Sequence, residues 1–169
     1  MSSERGAVQF AAFARFSGLV GDRFGVLGSP EPEEQNGEYE SGQVTIGAER
    51  WRLRTARVTP KKPGAFVALW QRNARGETCP FETNEKIAGL LLFVREDERF
   101  GVFQFTSEQL ERLGITRSSR HVGKRGFRVY PSWSTGLNRQ AERTQRQQAE
   151  AFTELGGSRV HQQIARVAL

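Results

Sequence analysis

The sequence predicts a single α/β domain, a central mixed β-sheet flanked by helices, with a long helix near the C-terminus. Three observations lead there. The 169 residues suffice for one domain with a sizeable core and are short for two. The middle of the chain holds five or six short stretches rich in β-branched and aromatic residues, bounded by Gly and Pro. Helical patterns precede, interrupt and follow them, so both element types are expected to share one layered unit spanning 1–169, with 1–30 and 157–169 peripheral.

The elements follow in order. Residues 4–17 carry Val8, Phe10, Phe13, Ala14 and Phe16, the apolar members of an amphipathic helix. Gly18 to Gly37 is rich in Gly, Pro and Glu and reads as loop. A first strand, GQVTI, turns at Gly47-Ala48 into a second, RWRLRTARVT. On that strand Trp51, Leu53, Thr55, Arg57 and Thr59 share one face, and Arg52, Arg54, Ala56 and Val58 the other. PKKPG turns the chain into a third strand, AFVALWQR, followed by the loop NARGETCPFETNEK. IAGLLLFVR is almost continuously apolar, as expected for a strand buried on both faces, and EDERFG turns it into VFQFT. Ser107 is the expected cap of a short helix, EQLERLG. A basic loop, ITRSSRHVGKRG, leads to the strand FRVYP. A polar helix from about Leu137 to Leu155 ends at Gly156-Gly157, before a weakly patterned tail.

Composition narrows the function. One cysteine, Cys79, excludes a disulfide framework and a Cys-rich metal site. The longest apolar run, Ile87 to Val94, falls well short of the ~20 residues of a membrane span. The N-terminal stretch lacks the apolar core of a secretory signal. A soluble cytoplasmic protein that does not engage membranes is the expectation.

Charge is clustered. Residues 51–75 hold 7 basic and no acidic side chains, and residues 112–169 hold 11 and 3, against a net −4 over 1–50 and −5 over 76–111. The total is +6. Two basic islands in an acidic background point to a polyanionic partner. The alternative is that the arginines pair with the acidic blocks. The expected nucleic-acid contacts are Arg52, Arg54, Arg57, Lys61 and Lys62 on the strand pair, Lys124, Arg125 and Arg128 on the loop and its strand, and Arg139, Arg143 and Arg146, spaced to share one helix face. If that face meets the strand pair, the cations line one groove. Tyr130 and Trp133 are candidates for stacking on bases or for the core, and Trp70, after FVAL, for the core.

No catalytic residue, metal site or cofactor is predicted. A restriction-endonuclease-like pattern places an acid and a lysine two apart on one strand. Here Thr55 stands at the acid's position and Arg57 at the lysine's. Glu38 and Glu40, ahead of the first strand, remain as a residual acid site or as salt-bridge partners of the arginine strand. His121, His161 and Cys79 have no partners in view, and GKRG lacks the spacing of a phosphate-binding loop.

Four separated blocks carry a resemblance. The Glu-Tyr stretch from Glu38, TPKKPGAFVALWQR, GKRGFRVYPSW and the Gln/Arg helix occur in this order in the MepB-like family, a group of small bacterial proteins, some encoded beside multidrug efflux pumps. The chain resembles that family over about 33–155. The resemblance implies a restriction-endonuclease-like fold and nucleic-acid binding with no assigned activity. The sequence departs from the family's pattern in Pro-Ser-Trp where Pro-Pro-Trp is common, and in Arg57 where lysine is common. Three readings stay open: nucleic-acid binding on a degenerate nuclease-like fold, with DNA favoured over RNA; a metal-dependent nuclease with a migrated carboxylate, using Glu38, Glu40 and Glu49; or a nucleotide-, anion- or protein-binding module. Oligomeric state is not legible.

Overall fold

The structure, a computed structural model, describes residues 10–156. In chain order the elements are α1 (Ala11–Val20), β1 (Glu31–Pro32), β2 (Gly42–Ile46), β3 (Glu49–Thr55), β4 (Arg57–Thr59), β5 (Lys62–Ala68), β6 (Trp70–Arg72), β7 (Thr78–Pro80), β8 (Gly89–Glu96), β9 (Arg99–Thr106), α2 (Ser107–Arg112), β10 (Gly126–Val129), α3 (Arg139–Gln148) and β11 (Phe152–Leu155). A six-stranded sheet has the order β1-β2-β3-β8-β9-β11. Its β3–β8 pair is parallel and the others antiparallel, so this is an α/β domain on a mixed sheet. A three-stranded antiparallel sheet, β10-β5-β4, and a hairpin, β6-β7, complete it. No helix among the described residues is long and apolar enough to cross a membrane.

β8 explains the two-sided core. Its residues alternate, and Gly89 to Val94 are all buried. Leu91 and Phe93 face α1 with Trp51 and Leu53, against Phe13, Phe16 and Val20. Leu90, Leu92 and Val94 face the small sheet, where Ala65, Val67, Phe127 and Val129 meet them. A strand covered on both faces must be apolar along its whole length.

Four expectations change. The stretch RWRLRTARVT is two strands. The chain leaves the large sheet at Ala56, whose N–H still bonds Phe93 O at 2.9 Å, and enters the small sheet as β4. In β4 Arg57 is exposed. AFVALWQR likewise divides at Leu69, whose N–H bonds Arg125 O, and the loop after it contains β7. The long C-terminal helix stops at Gln148, and after a 3-10 turn Phe152–Leu155 pairs with β9. As a strand this segment sends Phe152 to one face, against Phe103 at 4.7 Å, and Leu155 to the other. α2 is capped by Thr106, not Ser107, in a capping box with Gln109. α1 begins at Ala11; the earlier part of the expected helix, the tail from 157 and His161 lie outside the described residues.

Two side chains finish the frame. The N-terminal residue of α1 offers no side-chain cap, and the Glu40 carboxylate accepts from Ala11 N at 2.6 Å and Ala12 N at 3.4 Å instead. On α3, buried Gln148 accepts from Tyr130 N at 3.0 Å and donates to Arg128 O at 2.9 Å. It covers the free edge of β10 as a neighbouring strand would.

Candidate nucleic-acid interface

The two islands divide into interior and exterior cations. Arg54 is 1% exposed. Its guanidinium donates to Glu33 Oε1, Leu53 O, Ala68 O and Asn36 Oδ1. Arg52 shares the same Glu33 carboxylate and lies over the Phe81 ring, 3.8 Å from its centroid. Burial pushes both guanidinium pKa values down, while Glu33 pulls them up. Both stay protonated, because an arginine starts so high. Asn36 also accepts from Trp70 N at 3.2 Å, so the cluster joins the 33–36 loop, β3 and β6. Arg54 is thus a correction: it lies between the sheets because even positions of β3 face the small sheet. Arg52 is only 12% exposed at its side chain and ion-paired, and it too serves the interior.

The exterior cations gather on the small sheet. In the register, Arg57 lies opposite Phe66, and Phe66 opposite Arg128. Residues directly opposite in antiparallel strands point to the same side. Since Ala65, Val67, Phe127 and Val129 face inward, Arg57, Phe66 and Arg128 form a row on the outer face. Tyr39 meets Phe66 edge-on at 6.3 Å. Arg128 donates to Pro63 O at 3.1 Å and Thr59 Oγ1 at 2.8 Å, which holds it flat. Arg57 is exposed, with Glu38 at 3.8 Å. Lys61 in the β4–β5 turn and Lys62 at the start of β5 are exposed. None of Lys61, Lys62, Lys124, Arg125 and Arg128 has a carboxylate partner among the described residues.

A cleft of about 300 Å³ separates the small sheet from α3, with Lys124, Arg128 and Tyr130 on one wall and Asn138, Thr144 and Gln147 on the other. The helix arginines do not line it. Ala141 and Gln148 form the buried side of α3, and Arg139, Arg143 and Arg146 lie on the opposite side, toward solvent. Arg146 instead borders a larger cleft, about 940 Å³, with Glu49, Glu150 and Glu154. Of the cations expected to line one groove, this cleft contains Lys124 and Arg128; the strand-pair cations, Arg125 and the α3 arginines do not line it.

The aromatic candidates divide as well. Trp133 is not free to stack: its Nε1–H donates to Glu96 Oε1 at 2.7 Å, its ring packs on Phe152, and Arg99 lies 5.0 Å from its centroid. Glu154 holds the Arg99 guanidinium pKa above its ordinary value through a hydrogen bond. Tyr130 is half-buried and borders both clefts. Its ring lies against Gly64, where a Cβ would fall 2.7 Å from Tyr130 Cδ1 and φ is +79°. Trp70 is half-buried, with Arg72 5.3 Å from its ring centroid.

The acids are engaged. Glu40, besides capping α1, accepts from Thr55 Oγ1 at 2.7 Å. The hydroxyl at the position of a nuclease's acid is thus tied to the nearby carboxylate. Glu38 is exposed beside Arg57. Among the described residues no three His, Cys, Asp or Glu side chains group to hold a metal ion.

Sequence reasoning passed over Arg72, Arg75, Arg117 and Arg120, all exposed and all inside the basic islands. Arg125 Nη1 donates to Thr78 Oγ1 at 3.3 Å, and Arg117 N–H bonds Phe81 O at 2.8 Å, so the 116–126 loop lies along the β6–β7 hairpin. Their signal was the charge clustering itself.

Comparison with known proteins gives two matches. The profile of the MepB-like family matches residues 33–154. The crystal structure of MepB superposes with a TM-score of 0.77 at 27% sequence identity, covering 89% of this chain and 99% of that one. No curated protein matches.

Proposed function

The chain belongs to the MepB-like family, and from that premise and the surface of its small sheet we propose that it binds nucleic acid, DNA in preference to RNA, in the cytoplasm. The observation that carries this reading is the row Arg57–Phe66–Arg128, which brings one cation from each basic island onto one exposed sheet face. Lys61 and Lys62 extend that face at the turn, and Lys124 sits where β10 begins. Backbone phosphates are recognised by such an array without a pocket. β5 has seven residues and spans roughly 23 Å, about two thirds of a duplex turn. A rigid sheet can therefore meet several phosphates at little ordering cost.

A nuclease reading has less support. Glu40 spends its oxygens on two helix N–H groups and the Thr55 hydroxyl, and the Arg57 guanidinium is a donor with no acceptor, so it can hold a phosphate but offers no base. We expect DNA incubated with the protein and Mg²⁺ or Mn²⁺ to stay intact.

The test is a salt titration of duplex binding by fluorescence anisotropy, with RNA of the same sequence alongside. Five phosphate contacts, from Arg57, Lys61, Lys62, Lys124 and Arg128, give a log–log slope of about −4.5 on duplex DNA. Replacing Arg57 and Lys61 with Ala lowers that slope by about 2. An affinity indifferent to salt overturns the proposal, and metal-dependent cleavage lost in Glu40→Ala promotes the nuclease.

A further inference from the structure

We propose that the β6–β7 hairpin is an arm that enters the major groove of a DNA duplex, with Arg75 at its tip contacting guanine edges. This rests on the nucleic-acid reading above and assigns residues that reading does not use.

The hairpin leaves the small sheet at Leu69 and carries a tip, Asn73 to Glu77, that is exposed throughout. The tip is nevertheless built. Asn73 Oδ1 accepts from Arg75 N at 2.9 Å and Glu77 N at 3.0 Å, and Asn73 N–H bonds Glu77 O at 2.9 Å. Gly76, at φ +78°, bonds back to Asn73 O and accepts from Arg72 Nη1 at 2.8 Å. Arg72 is thereby occupied in holding the turn, against the Trp70 ring. Arg75 is fully presented, with no ion pair among the described residues.

Size selects the groove. Two strands about 4.8 Å apart, with side chains, fit a groove ~12 Å wide and not one ~6 Å wide. Of the hairpin, the tip from Asn73 to Glu77 is the exposed part; the strands beneath it are half-buried beside the 116–126 loop, so the tip is what meets the base edges. Glu77 on the same tip argues for the groove floor over the backbone. A phosphate wall repels a carboxylate, whereas cytosine offers its amino group as a donor. Arg117, Arg120 and Arg125 on the flanking loop then lie beside the phosphates bordering the groove.

The test measures binding of the whole protein to a short G·C-rich duplex, and to the same duplex with 7-deazaguanine, which lacks the N7 acceptor. Wild type is expected to lose about tenfold in affinity on the modified duplex. Arg75→Ala should lose a similar factor on the plain duplex and nothing more on the modified one, and a minor-groove ligand should not compete. Circular dichroism should not change, since Arg75 is exposed and makes no ion pair among the described residues. The arm alone is overturned if Arg57→Ala weakens binding while Arg75→Ala and 7-deazaguanine each change it less than about twofold, or if the minor-groove ligand displaces the protein. Failure of wild type to bind any duplex overturns this proposal and the nucleic-acid reading together.

Discussion

Removing the carboxylate of Glu33 should cost more than removing either arginine it serves. Two guanidiniums share this one group: Arg54, with its side chain fully buried, and Arg52, 12% exposed. The cluster carries one surplus positive charge. Glu33→Gln leaves two buried cations side by side with no counter-charge, a loss of about 3–5 kcal/mol. Arg54→Met keeps the Arg52–Glu33 pair and fills most of the volume. It removes the donors to Ala68 O and Asn36 Oδ1, which costs about 1–3 kcal/mol. With a urea m-value of about 2 kcal/mol/M, the midpoint falls by about 2 M for Glu33→Gln and about 1 M for Arg54→Met. Urea unfolding followed by tryptophan fluorescence measures both. Equal costs, or a greater cost for Arg54→Met, would refute the reasoning. So would an Arg54→Met protein of unchanged midpoint and much weakened duplex binding, which would return Arg54 to the interface.

Three further outcomes follow from single contacts. Gln148→Leu uncovers the β10 edge and strips partners from Tyr130 N and Arg128 O, costing about 1–3 kcal/mol, and hydrogen exchange at the Tyr130 amide should accelerate. Glu40→Ala uncaps α1, costing about 0.5–2 kcal/mol, with faster exchange at Ala11 and Ala12; duplex affinity should hold or rise, since an acid has been removed. Trp133→Phe loses the bond to Glu96, about 1 kcal/mol, and leaves duplex affinity within a factor of two; a larger loss of binding would restore a stacking role.

Strands were legible where the pattern of apolar residues records burial, as alternation in β2 and as an unbroken apolar run in β8. β2, β8 and β9 and the turn at Gly47-Ala48 stand where the pattern places them. What the pattern could not supply was a change of sheet within one run. Along Arg50 to Thr59 the apolar residues move from odd positions, Trp51 and Leu53, to even ones, Ala56 and Val58, but that phase shift does not say where the chain goes; the bond from Ala56 to Phe93 O marks the point at which the run passes from one sheet to the other. The C-terminal helix misled for a related reason. Ala149, Glu150 and Ala151 are good helix formers and carry the pattern past Gln148, while the pull of Phe152 and Leu155 toward opposite faces of the sheet is a tertiary fact. At the candidate interface, charge clustering identified the basic surface but not the fate of each cation. Arg54 and Arg57 look alike in sequence; the presence of Glu33 beside one and solvent beside the other separates them.

The parallel pairing of β3 with β8 has a consequence for how the chain folds. Trp51 meets Gly89 about 40 residues later, and closing so long a flexible loop costs about 3 kcal/mol in chain entropy beyond a constant term. Parallel strands are usually joined through a helix, which orders itself locally. Here the connection holds two short-range hairpins, β4–β5 and β6–β7, each able to form before its surroundings. Once they have formed, the length of chain still free to wander between β3 and β8 is much shorter. The segment that presents the cations is therefore also the segment that shortens the search for the central pairing. Lengthening either turn should slow refolding more than it lowers equilibrium stability.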